Sequence, residues 1–317
     1  MATKNSILST KPLHLLVLSP PFWYDCKESP DYLTFYKTMK KRTPPPALSP
    51  GYSLIDSHCH LDMEASQDDI DDIIRSAEQC HVDTIITIGI DLATSQRAVE
   101  LADTFPGVYA SVGIHPHSAE EGDDTVYQQL KELTASKQVV AYGEIGLDYA
   151  KKYAPVERQR LEFSRQLELA KELALPIIIH DREAHEDTLH IIREQGPFPA
   201  GGVMHCFSGD MAFARQVLDL GLYISIPGIV TFKNALDLQK VAQEIPLNRM
   251  LLETDGPFLT PVPFRGKRNR PEYLPYTAAM VAELRGIFID EVARQTSRNT
   301  RQLFSLPDFT LADQGGK

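Results

Sequence analysis

A chain of 317 residues, 43% apolar and 24% charged, carries enough apolar material for one large domain with a full core, which excludes disorder throughout. Its 32 Lys and Arg stand against 43 Asp and Glu, a net charge of −11. That balance excludes a partner gripped by a general basic surface, such as bulk duplex DNA, and leaves only a local basic patch open.

The chain opens on a stretch unlike the rest. Residues 1–51 hold eight of the 22 prolines, among them Pro44, Pro45 and Pro46, and show no sustained apolar periodicity. They read as a poorly ordered extension outside the core, and Met39, just before Lys40, Lys41 and Arg42, is an alternative initiator. The charge is uneven too: residues 1–50 balance at +4, leaving −15 for the remainder. The apolar run Leu13–Leu18 contains His14 and meets Ser19-Pro20-Pro21, so it is too short for a membrane span and lacks a small-residue cleavage site. No other run approaches a span, and nothing marks an obligate protein partner. Cys26, Cys59, Cys80 and Cys206 form no CxxC pair, which disfavours a disulfide scaffold or a Cys-built zinc site and fits a reducing cytoplasm.

From Tyr52 onward, short apolar or β-branched runs alternate with helical patterns. Strands are predicted around Leu54, Ile85, Ala110, Val140, Ile178, Val203, Tyr223 and Leu251, each separated from the next by the length of one βα unit. Between them, Ile70, Ile73, Ile74 and Ala77, and again Phe163, Leu167, Ala170 and Ala174, recur at helical spacing. The acidic run Asp68-Asp69-Ile70-Asp71-Asp72 suits the start of the first of these helices. Eight strands with intervening helices predict an α/β fold, a single-domain (β/α)8 TIM barrel over 52–306, with 307–317 as a tail. A doubly wound sheet competes, but no glycine-rich phosphate loop follows an early strand.

In a barrel, function sits where strands end. The first predicted strand ends in His58-Cys59-His60, and positions i and i+2 of an extended chain face one side, so both imidazoles can aim at one ion. Cys59, and likewise Cys206 beside His205, then points toward the helix layer as a small core residue. A lone HxH is often only a surface pair. Glu144 follows a buried-looking run at the fourth strand end, where a carboxylate needs a partner such as a cation; the plainer alternative is a capping or salt-bridged Glu. His180 and His205 end the fifth and sixth strands, and either alone is more often a hydrogen-bonded core histidine. Asp255 ends the eighth, with Glu253 on the same face. Coincidence explains the set poorly: the convergence of strand ends places six candidate ligands, His58, His60, Glu144, His180, His205 and Asp255, around one small volume suited to a divalent ion.

These residues, with Asp62, Gly113-Ile-His115-Pro-His117, Gly143-Glu-Ile-Gly-Leu-Asp148-Tyr, Arg182, His205-Cys-Phe-Ser-Gly209 and Leu252-Glu-Thr-Asp255, make the sequence resemble the TatD-type deoxyribonuclease family of the amidohydrolase superfamily over about residues 52–306. The resemblance implies a two-metal phosphodiesterase site in which His58, His60 and Asp255 hold one ion, His180 and His205 hold the other, and Glu144 bridges them. It departs from the family at Arg270, where a Glu between Asn and Pro is customary.

Two divalent ions (Mg2+, Mn2+ or Zn2+) about 3.5–4 Å apart would clamp a phosphodiester and activate water, with Asp255 as orienting base. Arg265, Lys267, Arg268 and Arg270 put four cations in six residues beyond the Asp255 strand, enough to attract phosphate locally despite the acidic body, although a solvated charge run is the plainer reading of such a loop. His115, His117 and Arg182 are weaker candidates for contact with substrate oxygens, and Phe207 for stacking on a base, although a packed aromatic is the plainer reading. The favoured reading is a metal-dependent deoxyribonuclease acting on DNA ends or single-stranded DNA. The alternatives are a metal-dependent hydrolase of a small ester, amide or phosphoester, and a non-catalytic metal-binding scaffold.

Overall fold

A computed structural model of the chain describes residues 45–63, 67–151 and 153–307. The expected extension up to residue 44, including Met39 and Cys26, and the tail from residue 308 lie outside the described residues.

Eight strands form one parallel sheet in sequence order: β1 (Leu54–Cys59), β2 (Val82–Ile88), β3 (Val108–Val112), β4 (Val139–Asp148), β5 (Ile177–Arg182), β6 (Gly202–Met204), β7 (Tyr223–Ile226) and β8 (Met250–Leu252). Each contains the position around which the sequence predicts it. The sheet meets itself where Cys59 bridges Gly256 in parallel, His60 N–H donates to the Gly256 carbonyl at 2.7 Å, and Asp255 N–H donates to the His58 carbonyl at 2.9 Å. These bonds join the C-terminal ends of β1 and β8, giving the near-closed eight-stranded barrel of the TIM type.

Helices α1 (Gln67–Gln79), α2 (Leu92–Thr104), α3 (Asp124–Leu133), α4 (Val156–Leu173), α5 (His185–Gln195), α6 (Met211–Asp219), α7 (Leu236–Glu244), α8 (Leu274–Arg285) and α9 (Ile289–Phe304) fill the outer layer. The stripes predicted at helical spacing bury Ile70, Ile73 and Ala77 on α1 and Phe163, Leu167 and Ala170 on α4. Ala174 departs from its stripe: it caps α4 with a left-handed φ of 53° and is exposed, because the helix has already ended at Leu173.

The core has two main parts, with a small third cluster of Phe264, Tyr273 and Tyr276 beside them. The larger part packs strands against helices and includes Cys59, Ile179, Met204 and Leu252; the smaller unites Ile55, Ile86, Ile178, Val203, Tyr223 and Leu251 with Leu303 and Phe304 of α9. Side chains alternate along a strand, so Ile178, Val203 and Leu251 share their face with His180, His205 and Glu253, two residues further on. The smaller cluster is therefore the barrel interior, and the histidines form its upper layer. On β1 and β4 the pairing register shifts between Asp56 and Cys59 and between Tyr142 and Ile145, so His58 and Glu144 sit at bulges that re-aim a strand end.

The domain begins before the predicted residue 52. Leu48 is buried in the larger core, and Ser49 N–H donates to the Asp290 carboxylate at 3.0 Å. A single apolar residue among prolines carries no periodicity, which is why the sequence places it with the extension.

Candidate metal centre at the barrel mouth

The six strand-end residues predicted as ligands come together around Glu144. Its carboxylate is buried, and its two oxygens face different histidines. Oε2 lies 3.3 Å from His58 Nε2 and 4.0 Å from His60 Nε2, while Oε1 lies 2.7 Å from His180 Nδ1 and 2.7 Å from His205 Nε2. Asp255 Oδ1 completes the first group, 3.8 Å from His58 Nε2 and 3.5 Å from His60 Nε2. Donor atoms around a tetrahedral ion with bonds of 2.0–2.1 Å stand about 3.3 Å apart, so the first group needs only small contraction to hold one. His180 Nδ1 and His205 Nε2 are 3.3 Å apart, a second pair of donors sharing Oε1.

The surrounding polar atoms also fit a cation. Among the described residues, His58 Nδ1 and Nε2, His60 Nδ1 and His205 Nδ1 are buried without a hydrogen bond, and buried polar atoms are seldom left so. Burial would raise the Glu144 pKa, but His205, His115 and His180 hold it well below the ordinary carboxylate range. Burial lowers His58 to about 3, with His205 adding to the effect. His60, His180 and His205 are shifted upward, the carboxylates Asp255, Asp148 and Glu144 overcoming the opposing effect of burial. Positive charge is thus strongly favoured beside Glu144, and a divalent ion is the group that would supply it while leaving the histidines neutral as ligands. These clusters can hold a divalent metal ion.

Three carboxylates outside the predicted ligand set orient the ligands. Asp148 Oδ2 lies 3.3 Å from His180 Nε2 and 2.9 Å from His117 Nε2, and its Oδ1 accepts from Lys151 N–H at 2.9 Å. With its Nε2 turned to Asp148, His180 is free to offer Nδ1 to an ion, the carboxylate–histidine pairing common behind metal ligands. Glu253, fully buried, accepts from Cys206 N–H at 2.7 Å and lies 3.6 Å from His205 Nδ1. Asp56 accepts from Thr254 N–H at 2.9 Å, is hydrogen-bonded to the Thr254 hydroxyl, and ties β1 to the residue preceding Asp255. Burial raises Asp56 to about 7, against the lowering effect of the Thr254 bonds. Asp255 itself takes a left-handed φ of 56°, an uncommon backbone that recurs where a side chain must be aimed.

His115 lies in the same cluster, 3.4 Å from Glu144 Oε1, yet its role differs. The backbone N–H of His117 donates to His115 Nδ1 at 3.1 Å, so the proton of the neutral ring is on Nε2. In that tautomer the Nε2–H faces Glu144 Oε1, although with Glu144 and His180 the ring also stands close enough to form a further ligand cluster. Burial, with His180 and His117 nearby, lowers its pKa to about 4, keeping it neutral.

Of the remaining predicted contacts, His117 stands one step out, held by Asp148. Arg182, Arg265 and Lys267 are exposed and make no ion pair among the described residues, although Arg265 lies 4.4 Å over the Phe232 ring. Arg268 donates to the Met63 carbonyl at 2.6 Å, and Asn269 Nδ2 donates to the Thr254 carbonyl at 2.7 Å, so the basic loop is anchored beside both β1 and Asp255. Phe207 is a correction. It is 1% exposed and stacks on Phe213 at 5.4 Å, so it has no face to offer a base; it packs between β6 and α6. Cys59 is buried in the core as expected, burial holding its thiol well above the ordinary range.

The TatD related DNase model matches residues 55–305. The chain belongs to this family. It is 43% identical over 253 residues to the uncharacterised metal-dependent hydrolase YabD of Bacillus subtilis, covering 80% of this chain and 99% of that one. It is 35% identical over 243 residues to the 3′-5′ ssDNA/RNA exonuclease TatD of Klebsiella pneumoniae, covering 75% and 92% respectively. The crystal structure of YJJV, a TatD homologue from Escherichia coli, superposes with a TM-score of 0.76 at 34% identity over 80% of this chain and 98% of that one. With the convergent ligand set, membership of the TatD family makes the protein a divalent-metal-dependent hydrolase. No helix among the described residues is long and apolar enough to cross a membrane.

Proposed function

We propose that this TatD-family hydrolase is a nuclease that cleaves phosphodiester bonds at DNA ends or in single-stranded DNA, using two divalent ions. The observation that carries the reading is the position of Glu144, one oxygen toward His58 and His60 and the other toward His180 and His205, which suits a carboxylate shared by two ions. His58, His60 and Asp255 would hold one, His180 and His205 the other. Bound there, Mg2+, Mn2+ or Zn2+ would supply Lewis-acid charge against the phosphodiester oxygens and make water easier to deprotonate.

The chain's own groups do the rest. Asp255 faces the first histidine pair through Oδ1 while part of its side chain stays open to the mouth, so it orients the attacking water and takes up its proton. His115 donates its Nε2–H toward a phosphate oxygen, and Asp148 fixes the His180 ring. The exposed cations Arg182, Arg265 and Lys267, with Arg268, draw the phosphate backbone to the mouth of an otherwise acidic protein. A barrel mouth admits a strand end more readily than a continuous duplex, and the Klebsiella relative's name describes single-strand, end-directed cleavage. The free thiols Cys59, Cys80 and Cys206 suit a reducing cytoplasm.

The test is a digestion time course of 5′-labelled single-stranded and blunt duplex oligonucleotides by protein reconstituted with each metal. A ladder shortening from one end, faster on single strands and abolished by chelation, is expected. Intact oligonucleotides beside rapid hydrolysis of small esters would overturn the nuclease reading.

A further inference from the structure

With Phe207 buried, the site needs another surface for the bases of a bound strand. Three aromatic side chains among the described residues are largely exposed: Tyr153 at 65%, Phe258 at 48% and Phe288 at 84%. Isolated exposed apolar residues are ordinary, so position decides whether they matter. Phe288 immediately precedes α9. The other two flank the ligand set. Phe258, in the loop after Asp255, has its ring centroid 6.0 Å from that of His60, while Tyr153, in the loop after β4, lies 4.7 Å from His117, whose own ring is 6.3 Å from His180.

One ring therefore stands beside the His58, His60 and Asp255 group, the other beside the His180 group, with Glu144 between them. Each meets its histidine at a steep angle, 71° for Phe258 and 79° for Tyr153, rather than face to face. Each is anchored by its surroundings: Phe258 N–H donates to the Asp255 carbonyl at 2.8 Å, and the Tyr153 ring rests against His117, itself held by Asp148.

We propose that Tyr153 and Phe258 are two base-stacking positions that receive the nucleobases on either side of the scissile phosphodiester. The proposal rests on the nuclease reading and adds how that site grips its strand, through two rings that take bases already unstacked. A base in a duplex has its faces covered by its neighbours and cannot use the rings without unstacking. Every base has a π-face, so the rings give grip without sequence preference. Arg265, Lys267 and Arg268 hold the backbone, and the rings fix where along it the cut falls.

The test uses reconstituted holoenzyme and a 5′-labelled single-stranded oligonucleotide, intact or carrying abasic nucleotides at the positions flanking the first cut. Alanine at either position, Tyr153→Ala or Phe258→Ala, is expected to raise KM for the intact strand about 10-fold, with a smaller effect on kcat. Tyr153→Phe and Phe258→Tyr are expected to restore it. On the abasic strand the wild type loses its advantage, so the KM values of wild type and alanine variants converge, which a merely structural role would not produce. A wild type that cleaves the strand while both alanine variants keep KM within twofold overturns this inference alone. A wild type that cleaves no oligonucleotide overturns the nuclease reading, and the inference with it.

Discussion

Gly146→Ala probes how tightly the barrel wall is tied to the site. Gly146 lies on β4, two residues beyond Glu144, and pairs in register with His180 on β5. Its φ is 146°, and a Cβ there would fall 2.0 Å from the His180 carbonyl oxygen and 2.9 Å from the carbonyl carbon, whereas ordinary contact begins near 3.4 Å. The two strands would have to part by more than an ångström at the residue that carries a ligand. Backbone strain of about 1–3 kcal/mol and overpacking of about 1–3 kcal/mol give a loss of about 2–6 kcal/mol, or on the order of 10 °C in Tm. Gly221→Ala isolates the conformational part, because Gly221 also has a positive φ, 79°, with nothing within 4 Å of an added Cβ. It should cost about 1 kcal/mol and leave metal binding intact. Thermal melts with metal analysis of both variants decide the matter. Gly146→Ala melting within 2 °C of wild type and binding its full complement of metal would refute the reasoning.

Other expectations follow from the same geometry. If two ions bind as proposed, Glu144→Gln would leave one with three protein ligands and the other with only His180 and His205, so bound metal by mass spectrometry should fall from two equivalents to about one, with hydrolysis reduced at least about 100-fold. Asp56 has a pKa of about 7 in the fold against an ordinary 3.8, so the stability it contributes is complete below pH 4 and is lost as pH rises through 7. Asp56→Asn imitates the protonated acid; in chelated protein it should flatten the decline between pH 4 and 8 and exceed wild type at pH 8 by up to about 4 kcal/mol, measured by urea unfolding. Phe207→Ala, removing a buried ring stacked on Phe213, should cost about 3–5 kcal/mol in the same assay.

Much of this was legible in the sequence because each barrel strand is an apolar run closed by a polar residue, a pattern that states both the element and the end where chemistry gathers. His180 and His205 were readable in that way. The orienting roles of Glu253, Asp148 and Asp56 were not, because a buried acid acquires meaning only from the histidine or backbone donor it faces, and those partners lie on other strands. Phe207 follows a ligand in the chain as a substrate contact would, yet whether it faces the mouth or α6 depends on the left-handed turn at Cys206, where φ is 43°. His115 shows the reverse: spacing made it a contact, and only the hydrogen bond to its Nδ1 separates it from the ligands around it.

The most direct test of the two-ion site is anomalous diffraction from crystals of the holoenzyme grown with Mn2+ or Zn2+, recorded at the metal's absorption edge. Two peaks about 3.5–4 Å apart are predicted, one against His58, His60 and Asp255 and the other against His180 and His205, with Glu144 between them. A single peak, or peaks that leave Glu144 without contact, would contradict it.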